Sequence, residues 1–249
     1  MLRIDRQSFI IHQVNLHNKV LSTDLSKQLK VSDDTVRRDI QQLAEAGKII
    51  KVHGGALSRS FHGTHTSSDD VYAYNQKKVI AQKAVSLIKD GMCVLTTGGT
   101  TIIEMARALP PELHATFISG SIPALAEYIV HPNIEVIAIG DKVSKDSKLT
   151  VGADAIARIK ELKADLCFLG VSAINLENGV SDNDWEVVQI KKAMVVASQK
   201  LVCLTISEKI NSQQPFQVCD TNKIDTLITE LSPNDPLLER YKRAGINLL

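Results

Sequence analysis

The sequence predicts an α/β protein in two parts, a small helical N-terminal unit and a larger body built on a parallel β-sheet. Residues 21–57 contain two short helix patterns followed by a Gly-Gly turn, and from residue 71 onward apolar strand patterns alternate with helices. Residues 1–60 hold 10 Lys and Arg against 6 Asp and Glu, a net charge of +4, whereas the remainder carries −3. We therefore expect a head at 1–57, a polar linker at 58–70 and a body at 71–249.

The head contains two helices in tandem. Ser22 and Ser32 precede the two helix patterns, where a serine side chain can cap the free N–H groups. In the second helix Val36, Ile40 and Leu43 recur at i, i+4 and i+7 and form its buried stripe. Gly47 has the position of a glycine that ends a helix. A supporting first helix is expected around residues 9–14, which include Phe9 and Val14.

Two tandem helices followed by a hairpin form a winged helix-turn-helix, a fold that reads duplex DNA. Arg37 and Arg38 lie outside the buried stripe. A guanidinium group can bind a phosphate or the edge of a guanine base. The alternative is that both are solvated helix charges. We expect these residues to contact operator DNA: Ser22, Ser32, Asp34, Thr35, Arg37, Arg38, Gln41, Lys51, His53 and Gly54.

Composition limits the remaining possibilities. The chain has 249 residues and 44% hydrophobic residues, enough for a buried core. It has no apolar run of 18 residues and no signal-peptide pattern at its N-terminus, so we expect a cytoplasmic protein without a membrane partner. The four cysteines are widely spaced and lack metal-ligand spacing, so we expect free thiols and no metal.

The body alternates helices with short apolar strands, as in a parallel sheet covered on both faces. In the first helix Val79, Ala84, Leu87 and Ile88 are expected to face inward. The predicted helices span residues 72–89, 101–109, 122–130, 153–161 and 184–198. The predicted strands span residues 92–96, 115–119, 134–139, 166–170, 201–206 and 224–229.

Small residues follow several of these strands, and the carboxyl ends of parallel strands meet at one edge where ligands bind. Glycines allow close approach of the backbone, hydroxyls add hydrogen bonds, and helix N-termini favour anions, so a phosphate is the expected ligand. The alternative is a set of ordinary tight turns. The expected ligand-binding residues are Thr97, Gly98, Gly99, Thr100, Thr101, Ser119, Gly120, Ser121, Asp141, Lys191 and Lys209, with Lys148 and Lys192 as further possible counter-charges.

The chain resembles DeoR-type bacterial transcriptional regulators over essentially its full length. Val31–Ile40 is similar to the family's Val-Ser-x-x-Thr-(Ile/Val)-Arg-Arg-Asp-(Ile/Leu) pattern, and Gly47–Ala56 to its Gly-x-(Leu/Ile)-x-(Arg/Lys)-x-His-Gly-Gly-Ala pattern. The resemblance implies a sensor domain related to the sugar-phosphate isomerase and CoA-transferase-like folds. It also implies an effector that is a phosphorylated sugar or a related metabolite.

The body departs from the family pattern at its strand ends. Thr96–Thr101 lacks the acid of the family's Asp-x-Gly-(Thr/Ser)-Thr-Thr, and Ser119–Ser121 replaces Thr-Asn-Ser. Thr205–Lys209 lacks the family's Asp before Ser-Lys, whereas Lys191 matches the lysine of Glu-x-x-Val-Lys. The resemblance therefore implies a retained phosphate cradle and altered groups around the rest of the ligand.

Two function classes follow from these patterns. The first is a repressor of a carbohydrate-metabolism operon that acts as a homo-oligomer, because one small winged helix contacts few bases. The second is an enzyme of the isomerase or CoA-transferase type carrying a DNA-binding head. Such chemistry needs a carboxylate, and the strand ends offer Thr96, Ser119 and Gly140 instead. Glu177-Asn178-Gly179 is interpreted as a turn, and we expect no catalytic residue and no cofactor.

Overall fold

The computed structural model describes residues 2–61 and 71–249. The chain divides into two compact units, Met1–Tyr74 and Asn75–Leu249, which are described separately below. Most of the predicted linker, residues 62–70, lies outside the described residues. Ser58 and Ser60, which the sequence interpretation placed in the linker, are buried, and the hydroxyl of Ser58 donates to that of Ser60.

The N-terminal unit is a three-helix bundle with a small antiparallel sheet. Its elements are α1 Arg3–His17, β1 Lys19–Leu21, α2 Ser22–Leu29, α3 Asp33–Glu45, β2 Ile50–Val52 and β3 Gly55–Leu57, with sheet order β1-β3-β2. One residue from the middle of each helix, Ile10, Leu25 and Ile40, is almost completely buried in a common apolar core. The predicted winged helix-turn-helix is therefore present.

The helix ends agree with the prediction at α3 and differ at α2. The hydroxyl of Ser32 accepts a hydrogen bond from the backbone N–H of Thr35, so the predicted cap is confirmed. Gly47 has φ +66° just beyond the end of α3, also as predicted. The predicted Ser22 cap is wrong: Leu21 occupies the cap position, and Ser22 is the first helical residue with a buried side chain. The backbone N–H of Ser22 donates instead to the carbonyl of Gly54 in the wing.

The wing is a tight β2–β3 hairpin that requires glycine at two positions for different reasons. Gly54 lies in the turn with φ +78°. Gly55 begins β3 and pairs with Leu21, and a Cβ atom there would lie 1.9 Å from the carbonyl oxygen of Val20. Since that oxygen belongs to the backbone of β1, a side chain at Gly55 forces the two strands apart.

We expect Gly55→Ala to open the β1–β3 pairing, because overpacking against backbone typically costs about 1–3 kcal/mol or more. The measurement is amide hydrogen exchange of β1 and β3 in the full-length protein. Gly54→Ala is the matched control, since no atom of the described chain lies within 4 Å of its added Cβ and only the positive φ opposes it. Equal protection of the β1 amides in the two variants would contradict this expectation.

The C-terminal unit contains a seven-stranded, wholly parallel sheet. Its helices are α4 Tyr74–Val85, α5 Thr100–Arg107, α6 Ile122–Ile129, α7 Ala153–Lys160, α8 Trp185–Val196 and α9 Glu239–Arg243. Its strands are β4 Cys93–Thr96, β5 Thr116–Ser119, β6 Glu135–Ala138, β7 Lys142–Ser144, β8 Leu149–Val151, β9 Ala164–Gly170, β10 Ala173–Asn175, β11 Gly179–Asp182, β12 Ser198–Leu204, β13 Phe216–Cys219, β14 Thr226–Ile228 and β15 Asn247–Leu248.

The order of the large sheet, β15-β14-β12-β9-β4-β5-β6, defines where a ligand can enter. The chain builds outward from β4 through β5 to β6, and then in the opposite direction through β9, β12, β14 and β15. A crevice forms at such a reversal, outside the carboxyl ends of the two strands that flank it. Here those strands are β4 and β9, which are hydrogen-bonded neighbours.

The predicted parallel α/β body is confirmed, with three local corrections. Strand β6 is an edge strand and mostly exposed, so the expectation that all strands are buried on both faces is wrong for it. The sequence interpretation missed the β7–β8 hairpin and the β10-β11-β13 sheet. Val79 is 39% exposed, because the buried stripe of α4 instead runs through Lys77, Ile80, Ala81 and Ala84. No helix in the described ranges is both long and apolar enough to cross a bilayer.

Candidate DNA interface and ligand site

The N-terminal half of α3 presents its two arginines to solvent. Arg37 forms an ion pair with Asp33 and Arg38 with Asp34, each at 2.8 Å and each one helical turn apart. Exposed pairs of this kind stabilise a helix by only about 0.3–0.5 kcal/mol, so the guanidinium groups can exchange these partners for phosphate or base atoms. Asp34, predicted to contact DNA, is thereby placed where it orients Arg38.

A cleft of about 260 Å³ lies between α3 and the wing. Its polar lining includes Ser22, Arg37, Lys51 and His53. Among the described residues the hydroxyl of Ser22 finds no hydrogen-bond partner, although it is buried at the start of α2. The cleft therefore combines cationic side chains with an available hydroxyl on one side of the recognition helix.

The remaining predicted DNA-contact residues have different contacts and positions within the head. The Nζ of Lys51 donates to the side chain of Gln41 at 2.7 Å, which ties the wing to α3. The hydroxyl oxygens of Ser32 and Thr35 form a hydrogen bond of 2.8 Å within the α3 cap. Gly54 forms the turn of the hairpin beside His53. The structure thus brings Arg37, Lys51 and His53 to one cleft and gives Ser32 and Thr35 a capping role.

In the body, the turn after β4 contains the most open backbone of the predicted ligand site. Gly99, with φ +123°, is the cap residue of α5, and no described atom lies within 4 Å of the place its Cβ would occupy. The first N–H groups of a helix lack partners within the helix, and the helix dipole makes this end positive. Gly98 packs closely, since its Cβ would lie 3.2 Å from the hydroxyl of Ser121. The predicted adjacency of the β4 and β5 loops is confirmed.

The hydroxyl groups around this turn divide into bonded and available ones. The Oγ1 of Thr97 accepts from the N–H of Gly170 at 2.8 Å and locks β4 to β9. The hydroxyl of Ser119 donates to the carbonyl of Thr96. By contrast, Ser121 is fully buried and its hydroxyl has no partner within the described residues. Ser121 is therefore an orphaned polar group facing the Gly98 backbone.

Gly120 and Asp141, two of the predicted ligand-binding residues, have structural roles in the body. A Cβ at Gly120 would lie 2.2 Å from the hydroxyl of Thr150, so this loop packs directly on β8. The carboxylate of Asp141 accepts from the backbone N–H groups of Asp154 and Ala155 at the start of α7. A hydrogen bond from the backbone N–H of Lys142, together with these two, holds the pKa of Asp141 below its usual value. Asp141 thus caps the start of α7, and its contact with a ligand stays a prediction.

A buried ion pair lies beside the same crevice. The Nζ of Lys191 contacts the carboxylate of Asp182 at 2.6 Å and the carbonyl of Gly170 at 2.8 Å. Both side chains are about 95% buried. Burial alone raises the pKa of Asp182, but the Lys191 ammonium outweighs burial and holds that pKa below its usual value. Asp182 is therefore a buried anion that is paired with Lys191 rather than a solvated loop residue.

Two further lysines accompany this pair. The Nζ of Lys209 lies 3.3 Å from the carbonyl of Val171, directly after Gly170, and burial and the charge of Lys191 lower the pKa of Lys209 to about 8. Lys77 on α4, which sequence reasoning missed, is 95% buried, and burial and the charge of Lys209 lower its pKa to about 7. The signal in the sequence that could have identified Lys77 as a buried lysine was its position on the apolar stripe of α4. Lys192 is exposed, and Lys148 lies in the β7–β8 turn.

Other polar candidates of the body have structural explanations. Glu177 sits in the exposed turn between β10 and β11 and forms an ion pair with Arg240, which agrees with its interpretation as a turn residue. All four cysteines are free thiols, as predicted. Burial raises the pKa of Cys167 to about 12, so this thiol behaves as a small apolar group. No cluster of three metal-ligating side chains occurs in the part of the chain that the structure describes.

Comparisons with known proteins find the same family for both units of the chain. The DeoR-like helix-turn-helix domain matches residues 6–61, and the DeoR C terminal sensor domain matches residues 72–231. The HTH-type transcriptional regulator GolR of Listeria innocua is 30% identical over 99% of this chain and 98% of its own. The HTH-type transcriptional repressor GlcR of Bacillus subtilis is 28% identical over 100% and 96%. Ribose 5-phosphate isomerase A of Methanocaldococcus jannaschii is 20% identical over 58% and 55%, with a TM-score of 0.40.

Proposed function

Because the chain belongs to the DeoR family of transcriptional regulators, we propose that it is a cytoplasmic repressor of a carbohydrate-metabolism operon that a phosphorylated metabolite releases from its operator. The family match over both units decides against the alternative of a sugar-phosphate isomerase or CoA-transferase with a DNA-binding head. A relative from Escherichia coli O157:H7, 27% identical over 98% of this chain and 93% of its own, is named a putative aga operon transcriptional repressor.

DNA binding is supported by the cationic surface formed by α3 and the wing. Arg37 and Arg38 project from the N-terminal part of the second helix of the motif, which enters the major groove in this fold. Lys51 extends the cationic surface along the hairpin, where the DNA backbone passes, and the His53 side chain lines the same cleft. The orphaned hydroxyl of Ser22 is available to a phosphate in the same cleft.

Effector binding is supported by one observation above the others: the Gly98–Thr101 turn, which is open at Gly99, lies at the reversal of strand order beside the orphaned Ser121 and the buried Lys191. These groups suit an anion, since backbone N–H groups and ammonium groups donate to oxygen without requiring a carboxylate. A phosphorylated sugar supplies such an anion together with hydroxyls, and the remaining polar groups at the strand ends would read those hydroxyls.

Regulation follows from linkage between the two proposed sites. An effector that binds better to the form with low operator affinity must release DNA, and operator DNA must weaken effector binding by the same factor. We propose that the protein acts as a homo-oligomer, since paired heads read two half-sites.

We expect Gly98→Asp to yield a repressor that binds its operator normally and no longer responds to its effector. The added carboxylate places negative charge at the anion site, and the Cβ crowds the hydroxyl of Ser121. Operator duplexes selected from a random pool are bound to the full-length protein, and a panel of sugar phosphates is screened for release by fluorescence anisotropy. Ser121→Ala is a gentler second variant that should weaken the response.

Gly91→Asp is the charge-matched control, because Gly91 precedes β4 at the opposite end of the strand and no described atom lies within 4 Å of its added Cβ, so that only its φ of +77° opposes the substitution. This variant should respond to the effector as the unmodified protein does. Normal release of Gly98→Asp from the operator would place the effector site elsewhere.

A further inference from the structure

One edge of the large sheet is open. Strand β6, Glu135–Ala138, pairs with β5 and with no other strand in the described ranges, and most of its residues are exposed. Edge strands are commonly very short or carry proline, lysine or a bulge, which prevents pairing with another chain. The opposite edge follows this rule, because β15 has only two residues. Strand β6 has four residues, contains neither proline nor lysine, and pairs with β5 in an unbroken register.

The backbone groups of β6 alternate in direction. The N–H groups of Glu135 and Ile139 donate to carbonyls of the β5 segment. In a β-strand the N–H and C=O groups of one residue point to one side, and those of the next residue point to the other. The N–H and C=O groups of Val136 and Ala138 therefore point to the open edge.

Helix α6 presents an apolar stripe on the same side. Ile122, Ala126 and Ile129 recur at i, i+4 and i+7, and all three are exposed, Ile129 to 70%. On another face of α6, Glu127 forms an ion pair with Arg107 of α5 at 2.7 Å. Since α5 connects β4 to β5 and α6 connects β5 to β6, α5 lies on the inner side of α6. The stripe therefore faces away from α5, toward the edge that β6 forms.

We propose that β6 and α6 form the interface between two copies of this chain, with the two β6 strands paired antiparallel about a two-fold axis at Ile137. In this register Val136 of each copy exchanges hydrogen bonds with Ala138 of the other. Ile137, which is 44% exposed, then packs against Ile137 of the second copy. The inference rests on the homo-oligomer proposed above and identifies its contact surface.

A second copy fits this surface because the strand and the helix match themselves under the same rotation. Helix α6 contacts both β5 and β6, so pairing of the β6 strands places the two α6 helices about two strand spacings, roughly 10 Å, apart. That separation is an ordinary distance for packed helices. The two stripes then bury each other while the strands pair.

The charges of the surface also suit a second copy. Glu127 is directed to Arg107 of its own chain. Glu135 lies opposite position 139 of the second copy in this register, about 13 Å along the strand from its counterpart. Neither carboxylate meets itself across the axis, so no like charges oppose the pairing.

Sedimentation velocity of the full-length protein over a range of concentrations measures the dimer dissociation constant. Ile129→Lys places a charge in both α6 stripes and should raise this constant about a hundredfold, because the symmetric interface contains the change twice. Val196→Lys is the matched control and should leave the constant unchanged. Val196 ends α8 as Ile129 ends α6, and it is 82% exposed.

Ala138→Pro tests the strand pairing separately. It removes an N–H group that points to the open edge, a position where an edge strand tolerates proline, so the β5–β6 hydrogen bonds remain. The variant should keep the circular dichroism spectrum of the folded protein and raise the dissociation constant at least tenfold.

The register is tested with Ile137→Cys. Directly opposed residues of a non-hydrogen-bonded antiparallel pair have Cα atoms about 4.5 Å apart, which permits a disulfide. Oxidised glutathione should therefore join two copies of this variant, as seen by non-reducing electrophoresis. Glu135→Cys, at an exposed position on the same face of β6, is the control and should not form this dimer.

The outcomes separate this inference from the proposed function. Dissociation constants that are unchanged in both Ile129→Lys and Ala138→Pro overturn the interface and leave the homo-oligomer intact. An unmodified protein that stays monomeric at every concentration overturns both proposals. A monomer in which the thiol of Ile137→Cys is protected from a thiol reagent also overturns the interface, because another segment of the chain then covers the edge.

Discussion

Asp182→Ala is expected to lower the free energy of unfolding of the body by about 3–5 kcal/mol, because it leaves the buried ammonium of Lys191 without its counter-charge. Asp182 lies at the end of β11 and Lys191 in the middle of α8, so the pair joins the small sheet to a helix of the main core. The Gly170 carbonyl remains as a hydrogen-bond acceptor for Lys191, but a neutral carbonyl does not balance the charge.

Urea denaturation of the full-length protein, followed by circular dichroism, measures this change. Asp184→Ala is the control, since the half-buried Asp184 caps α8 and the loss of such a cap typically costs only about 1 kcal/mol. Asp182→Ala combined with Lys191→Met should recover much of the stability, because the buried charge is then removed as well. A loss no greater than that of Asp184→Ala would contradict a strong role for the pair.

The pair of Asp182 and Lys191 also predicts that the folded protein loses stability at low pH. The pKa of Asp182 is lower in the folded than in the unfolded state, so the unfolded chain binds its proton more readily. Its contribution is therefore fully present above the unfolded pKa of about 4 and is lost as the pH falls through the lower folded-state pKa. The Asp182→Ala variant should lack this part of the acid transition.

Arg37→Ala combined with Arg38→Ala is expected to abolish specific operator binding at physiological salt. Each arginine that reads a base contributes about 1–3 kcal/mol of discrimination, and each that grips a phosphate adds about one unit to the salt slope. The ion pairs with Asp33 and Asp34 oppose these contacts only weakly, because both arginines are well exposed.

The measurement is fluorescence anisotropy with the selected operator and a scrambled duplex at several salt concentrations. Arg3→Ala is the control for each single variant, since it also removes one positive charge from the head but lies on α1, where Arg3 contacts Gln42. The single variants then distinguish base contacts, which change specificity, from phosphate contacts, which change the salt slope. Unchanged operator affinity of the double variant would refute the assignment of α3 as the reading helix.

Local patterns in the sequence were sufficient to predict the winged helix-turn-helix of the head and the parallel α/β fold of the body. The Ser32 cap, the stripe of Val36, Ile40 and Leu43, and Gly47 form one continuous helix signal, because capping and apolar spacing are set by positions within a few residues of one another. Apolar strands alternating with helices likewise indicate a parallel sheet whatever the order of its strands. The bounds of most predicted helices and strands in the body accordingly lie within a few residues of those observed.

Only the tertiary structure decided the roles of individual polar residues. Ser22 and Ser32 occupy similar sequence contexts, yet the wing supplies a carbonyl to the N–H of Ser22 and leaves its hydroxyl orphaned. Asp141 caps a helix that begins more than ten residues later, which its own surroundings in the sequence do not reveal.

The sequence by itself therefore determined the DeoR resemblance, the two-part architecture and the edge of the sheet that carries small residues. The tertiary structure decided that β4 and β9 are neighbours, that Asp182 is buried against Lys191, and that Lys77 is buried, where desolvation and the charge of Lys209 lower its pKa. The physical reason is that the energy of a charged group depends on burial and on charges from distant parts of the chain, whereas helix and strand patterns depend on neighbouring residues.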